Sequence, residues 1–449
     1  MRRDFDLLSG RIGVVEATAL LVGNVIGISI FTLPGPLAAD AGPLVAIGIL
    51  VAAIPLGFGI LISFQLGSAI PVAGGNYVYA SRLVHPFAGF LIPWLILPGV
   101  WAGLLFIGDG FAEYVGVFLS VPDLALVYAL LVPFLVLNIV GIRPLARVQL
   151  TLVVVLFASM LVFIVPGAFS ITPSNYTPAL PNGVAPFAIA VVSLYFPLRG
   201  FGLITALGEE LTEPARNIPR VLGYSAAISL TMFVSLVAVL VGVVNWQSLA
   251  GVDAAVLVAA RTFLPDPVIV AVAVGPVVGG LTSLSTTYTG FSRSLMRAAR
   301  DELLPRRLAD IHPEFGTPHV ALLVLGIPPL VVAPVRPSPV ILSIWIALAV
   351  LTAGTLKAVA LWRLPAVYPD RYAEAPVTFP QGMLKTVAVL GALTSLVLVF
   401  VVATQLPQLL GVFLGHIALG YIAFRLRVRQ LAGRGTDLRS TLRQLASHE

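Results

Sequence analysis

The chain has 449 residues, 58% of them apolar and only 10% charged, with a formal net charge of +6. About 260 apolar residues, at about 20 per span, are material for roughly twelve membrane crossings; a soluble globule would carry about a quarter charged residues. A soluble enzyme, a nucleic-acid binder and a disordered scaffold are thereby excluded, and with no cysteine there is no disulfide framework and no thiolate chemistry.

In chain order, the charged start Met1-Arg2-Arg3-Asp4 precedes any apolar run, so a cleavable signal peptide is not expected. Apolar runs bounded by Pro, Gly or charge predict spans at 12–37, 43–66, 86–118, 123–141, 147–169, 186–207, 221–244, 267–297, 318–334, 339–361, 384–404 and 406–426. The third and eighth are long and expected to tilt. The ninth is expected to kink at Pro328-Pro329. The expected fold is an all-α membrane protein of about twelve transmembrane helices, and no soluble domain remains.

Basic residues orient the spans. With both termini cytoplasmic, 23 of the 26 Lys and Arg residues fall on the inner side, Lys357 among them. Arg261 and Arg336 fall outside, and Arg199 lies within a span. Such an asymmetry is what the positive-inside rule requires. It predicts a multi-pass protein of the cell membrane with the lipid bilayer as a partner; no nucleic acid is expected, and the sequence leaves the oligomeric state open.

Two spans are interrupted. The first contains Gly23-Asn24-Val25-Ile26-Gly27-Ile28-Ser29-Ile30-Phe31, and the sixth Tyr195-Phe196-Pro197-Leu198-Arg199-Gly200-Phe201-Gly202. Unwound backbone in hydrocarbon leaves polar groups unsatisfied unless it lines a cavity. Paired interruptions in corresponding positions of two halves point to a transporter binding site. The plainer reading is that these residues serve helix packing.

These segments resemble the amino acid–polyamine–organocation (APC) transporters. Gly23 to Phe31 resembles their first-helix signature, Pro71-Val72-Ala73-Gly74-Gly75-Asn76-Tyr77-Val78-Tyr79 their stretch after the second helix, and Tyr195 to Gly202 with Glu209-Glu210 and Pro214 to Arg220 their sixth helix and following loop. Ser292-Arg293 with Ala299-Arg300-Asp301-Glu302-Leu303-Leu304-Pro305 resembles an S-R…A-R-D-G-L-L-P stretch after the eighth helix. The resemblance implies a five-plus-five inverted repeat with helices one and six broken. Residues 12–169 would form the first repeat and 186–361 the second, with two further helices over 384–426, a cytoplasmic N-terminus over 1–11 and a tail over 427–449.

It also implies alternating access without covalent chemistry, the substrate's carboxylate on backbone N–H groups of the first break and its amine on carbonyls of both. The implied substrate residues are Val25, Ile26, Gly27, Ile28, Ser29, Phe196, Arg199 and Gly200. Among them Gly27, Ile28 and Ser29 donate, the carbonyls of Val25, Phe196 and Arg199 accept, and Phe196 covers the substrate. Tyr77 joins Phe196 as a gating residue. Ser29, Pro197 and Gly202 depart from the family pattern; where Gly202 stands, many members have Glu.

Other polar residues are weighed singly. Arg199, an intramembrane charge, is a functional hypothesis by default; an acidic substrate side chain, an acidic protein partner and a water-filled vestibule are its alternatives. Asp109 and Glu113 lie toward the outer end of the third helix; lining an entry path is one reading, and exposure at the helix end is the one expected. Glu209, Glu210 and Glu213 read as a loop cluster beside Arg216 and Arg220.

For coupling, the fifth helix holds no lysine or carboxylate. Gly279, Thr282 and Ser283 in the eighth share one helix face, in a stretch that resembles the sodium site of the neurotransmitter:sodium symporters. With the carbonyls of Gly23 and Ile26 they form the expected sodium site, and sodium is the one ion expected as a cofactor. Hydroxyls bonded back to their own helix are the plain alternative, and sodium-independent exchange or proton coupling elsewhere stays open. The function expected is secondary transport of amino acids or related amines, not enzyme catalysis. A cation–chloride type cotransporter, a lipid-linked transferase and a non-transporting sensor are the alternatives.

Overall fold

The computed structural model of the chain describes residues 13–70, 75–141, 146–203 and 211–433, and among these there is no strand. The first span comes in pieces: α1 (Val14–Val25), then, past a break, α2 (Ser29–Thr32) and α3 (Pro34–Ala41). The two sides of the break are bent by 44°. There follow α4 (Val45–Ala69), α5 (Gly75–Tyr79), a π-helical turn (Ala80–Val84), α6 (Pro86–Gly116), α7 (Asp123–Val140) and α8 (Ala146–Ala168). Next are α9 (Val184–Leu194), a 3₁₀ segment (Pro197–Leu203), α10 (Pro214–Val243), α11 (Ala255–Ala260) and α12 (Asp266–Arg300). The chain continues through α13 (His319–Val332), α14 (Pro339–Val367), α15 (Pro369–Ala373), α16 (Gln381–Gln405) and α17 (Pro407–Ala432).

Among the described residues ten helices are long and apolar enough to cross a membrane, eleven with the bent pair taken as one span, and α13 is a shorter apolar helix. These segments match the predicted spans closely. The sixth is interrupted where the sequence places its break: its α-helix stops at Leu194 and a 3₁₀ segment begins at Pro197. Proline lacks the N–H that would continue the α-helical ladder and restricts the residue before it.

Large apolar side chains lie on both sides of this protein, as a lipid solvent requires. Phe31, Tyr114, Phe106 and Phe201 are fully buried around the two breaks, and Phe163 is fully buried against Phe263. Val154, Val331, Phe400 and Leu419 project outward. A second buried cluster, with Ile62, Leu66, Tyr79, Leu361, Leu364 and Leu384, closes the end of the bundle where α4 stops and α16 starts.

Prolines within spans orphan the carbonyl four residues earlier, and in hydrocarbon that group needs another donor. Three neighbouring helices supply one. Ser159 Oγ of α8 donates to Val272 O (2.9 Å), freed by Pro276. Trp101 Nε1 of α6 donates to Val324 O (2.9 Å), freed by Pro328. Tyr128 Oη of α7 donates to Leu330 O (3.0 Å), four residues before Pro334. The proline positions and their polar partners together fix how α12 and α13 seat against their neighbours.

Two expectations need correction. Asp109 and Glu113 are not at an exposed helix end: Asp109 is buried and Glu113 is mostly covered. Helix α6 runs past both to Gly116, and the Glu113 carboxylate accepts the Ala254 N–H just ahead of α11. Lys357, counted with the cytoplasmic charges, lies within α14, ten residues before its end at Val367. Its Nζ donates to Ser63 Oγ of α4 at 3.0 Å.

Candidate functional site

The first break starts where α1 runs out of α-helical partners. The Ile26 N–H still reaches Val22 O (2.8 Å), and the Gly27 N–H turns back onto Val25 O (3.0 Å). Phe31, Thr32 and Leu33 resume the helical pattern, bonding to the carbonyls of Ile28 and Ser29. Between them the N–H groups of Ile28, Ser29 and Ile30 have no backbone acceptor among the described residues. Of the three expected donors, Gly27 is therefore spent inside the turn, while Ile28 and Ser29 remain available, joined by Ile30. On the other side of the break, the carbonyls of Gly23, Asn24, Ile26 and Gly27 receive no backbone donor among the described residues.

The second break is built by Pro197. Tyr195 and Phe196 bond back to Val191, Val192 and Ser193, and the Arg199 N–H bonds to Phe196 O (3.2 Å). The Phe196 carbonyl, an expected acceptor, thus already has one donor. Those of Leu194 and Tyr195 have none from the backbone of the described residues.

The two breaks touch. Asn24 Nδ2 donates to Gly200 O at 2.8 Å. A Cβ on Gly200 would stand 2.7 Å from Val25 Cα and 2.8 Å from Asn24 O, so only glycine lets the backbones approach this closely. The Asn24 side chain was not among the expected site residues. A polar amide inside an apolar span is the signal that marks it.

Side chains complete the enclosure. Phe196 packs edge-on against Phe106 of α6, with ring centroids 5.0 Å apart. The Arg199 guanidinium lies over the Phe196 ring, 4.8 Å from its centroid, and its nitrogen sits 3.0 Å from where a Cβ on Gly103 would be. Val25, Ile26, Ile28 and Ser29 are buried in the same region.

Helix α12 meets the first break from the opposite side. A Cβ on Gly279 would lie 3.0 Å from Gly27 C and 3.2 Å from Ile28 N, and one on Gly27 would lie 2.6 Å from Ser283 Oγ. Thr282 Oγ1 donates to Gly279 O at 3.0 Å, the local back-bond that hydroxyls make in helices. Ser283 therefore adjoins the break, whereas the Thr282 hydroxyl proton is used locally.

Tyr77 lies apart from this centre, at the end of the bundle. Its Oη donates to Asp301 Oδ2 (2.8 Å), which also takes Arg82 (3.2 Å), and Arg297 stands 3.5 Å from Oδ1. Burial first, and then the Asp301 carboxylate, push the Tyr77 phenol well above its usual range, so it stays a donor. Glu302 has left-handed backbone (φ 61) where the resembling motif has glycine, and Arg427 of α17 grips its carboxylate at 2.7 Å and its carbonyl at 3.0 Å. The two carboxylates that a transferase would need are thus engaged by cations. Pro71 to Gly74, Arg143, Glu209 and Glu210 lie outside the described residues, as does the Gly202 side-chain position.

A family model described as amino acid permease matches residues 12–412. The branched-chain amino acid permease of Bacillus subtilis is 27% identical over 340 residues, covering 71% of this chain and 73% of the relative. An uncharacterized transporter of Mycobacterium tuberculosis is 30% identical over 323 residues (72% and 73%). A methylthioribose transporter of Bacillus subtilis is 26% identical over 333 residues (69% and 72%). The chain belongs to the amino acid permease family: it is a multi-pass membrane transporter of a small molecule, not an enzyme.

Proposed function

We propose that this amino acid permease moves amino acids or related amines across the membrane by alternating access, holding the substrate on backbone atoms of the two helix breaks. One observation carries the reading: the Asn24–Gly200 bond brings together three free N–H groups and a set of free carbonyls. The N-terminus of α2 offers unpaired donors and the positive end of a helix dipole, which suit a carboxylate. The carbonyls of Gly23, Asn24 and Ile26, with those of Leu194 and Tyr195, suit an ammonium. The branched-chain amino acid permease supports an amino acid as substrate, and the methylthioribose transporter warns that relatives of this kind also take other small polar molecules.

In the orientation favoured by the basic residues, both termini are cytoplasmic and the Tyr77–Asp301 contact closes the cytoplasmic end. Residues 12–169 and 186–361 would be the two repeats that move relative to each other. Sodium is the coupling ion in this reading. Gly23 and Ile26 carbonyls without backbone donors, and a Ser283 hydroxyl beside Gly27, support an oxygen-lined site where α12 crosses the break. Thr282 Oγ1 and Gly279 O, although bonded to each other, keep lone pairs for a cation.

The test is uptake of a panel of labelled amino acids into vesicles reconstituted with the purified protein. Saturable uptake of at least one, abolished by Gly27→Val in a protein that still inserts, is expected. Uptake that survives Gly27→Val removes the first break as the binding site.

A further inference from the structure

We propose that Arg199 binds an anionic group on the substrate's side chain, so that the permease prefers amino acids with a second carboxylate. This rests on the reading that the helix breaks hold the substrate's amino and carboxylate ends.

Arg199 lies in the 3₁₀ segment at the second break, immediately before Gly200. Gly200 is in contact with Val25 and bonded to Asn24. The guanidinium is therefore placed beside the backbone groups expected to hold the zwitterion, within one side-chain length of them. Its apolar surroundings are fixed: the Phe196 ring on one face and the bare backbone of Gly103 beside a nitrogen. A cation–π contact uses the ring's face and none of the five N–H donors, which have no acceptor among the described residues.

No carboxylate or carbonyl takes those donors among the described residues. The acidic residues of α6 face other charges: the Glu113 carboxylate accepts from Ala254, and the charged groups that act on Asp109 are Arg336 and Asp123, not Arg199. Other arginines of the bundle are paired, Arg82 with Asp301, Arg336 with Asp123 and Arg427 with Glu302. Arg199 also keeps some accessible surface although Leu198 and Phe201 beside it are buried. A guanidinium at this depth without a partner among the described residues is costly, and a structural arginine would have been given one there. An open, oriented and unpaired cation next to an amino acid site is the complement of a carboxylate, which a guanidinium binds with two parallel hydrogen bonds.

The anion has two sources, a carboxylate on the substrate or a free inorganic ion such as chloride, and the experiment separates them. Vesicles containing the wild-type protein are assayed for uptake of labelled glutamate, aspartate and leucine, with and without chloride. The expected result is a preference for glutamate or aspartate over leucine of at least about tenfold, because a site built around a buried charge rejects ligands lacking its partner. Arg199→Gln is expected to reduce that preference ratio at least about tenfold, and Arg199→Lys to reduce it less, since it keeps the charge but loses the fork. Binding measured by thermal shift gives the same ratio if a variant transports too slowly. A wild type that prefers leucine, or an Arg199→Gln ratio equal to that of wild type, overturns the proposal. Leucine uptake that needs chloride in the wild type, and no longer does in Arg199→Gln, also overturns it, assigning Arg199 to a free anion. Failure of the backbone site itself is recognised separately, by uptake that persists in Gly27→Val.

Discussion

The Tyr77 hydroxyl and the Asp301 carboxylate, 224 positions apart in the chain, meet at 2.8 Å inside a buried network that also holds Arg82. The contact ties the short α5 segment to the end of α12. Asp301→Asn removes the charge that Arg82 is buried against, at a cost of about 3–5 kcal/mol. Tyr77→Phe removes one hydrogen bond to a charged group, about 1.5–3 kcal/mol. Thermal unfolding of the purified protein in detergent should rank them in that order below wild type. An Asp301→Asn protein as stable as wild type would show that the network holds nothing together.

The glycines of the breaks separate by what lies against them. A Cβ on Gly200 meets backbone atoms of Val25 and Asn24 at 2.7–2.8 Å, and backbone cannot swing aside. Gly200→Ala should therefore abolish uptake. Gly59→Ala, in the middle of α4 with nothing within 4 Å, should leave uptake intact and raise stability by up to about 1 kcal/mol. Equal uptake by the two variants would refute the close approach of the breaks.

Replacing sodium by choline at fixed pH should lower uptake at least about tenfold if the oxygens around Gly23, Ile26 and Ser283 hold a coupling ion. Thr282→Ala combined with Ser283→Ala should abolish the sodium dependence. Transport indifferent to sodium, or a sodium dependence that survives the double substitution, sinks this assignment.

Lys357 and Ser63 make a testable pair inside the membrane. Ser63→Ala takes away the hydroxyl on which Lys357 rests and should destabilise by about 1–3 kcal/mol. Lys357→Met replaces the amine with an apolar chain of similar length and should be neutral or stabilising. In the Lys357→Met background Ser63→Ala should then cost much less. Additive effects of the two substitutions would mean that the 3.0 Å contact contributes nothing.

Both termini on the cytoplasmic side is the orientation predicted by the basic residues. The chain has no cysteine, so a single Arg443→Cys substitution gives an unambiguous label. A membrane-impermeant thiol reagent applied outside intact cells should not reach it, and labelling there would invert the topology.

Most of the spans were legible because apolar length is a strong signal in this solvent, and so were the breaks, since Gly27 and Pro197 disrupt hydrogen-bond ladders locally. Which N–H group each turn consumes was not legible. Gly27 turning back on Val25 is a matter of dihedral angles that many sequences share. Asn24 was overlooked because its partner is a carbonyl 176 residues away, and any residue supplies a carbonyl. Glu113 was misjudged because the segment that meets it, around Ala254, comes from a distant loop, and the burial of Asp109 depends on packing that no local pattern reveals. Lys357 was counted with the inner-side charges because it lies four residues before the predicted span end at 361, and α14 continues six residues beyond that end, to Val367.

Arg427 has its own consequence. It sits on α17, one of the least buried helices, yet its guanidinium holds Glu302, the residue next to Asp301. A lightly buried helix is thus wired to the Tyr77–Asp301 network. If, as proposed, that network closes one end of a transport pathway, a fluorophore or spin label on the lipid-facing side of α17 should change its signal when substrate is added, which would make this peripheral helix a remote dial for the proposed cycle.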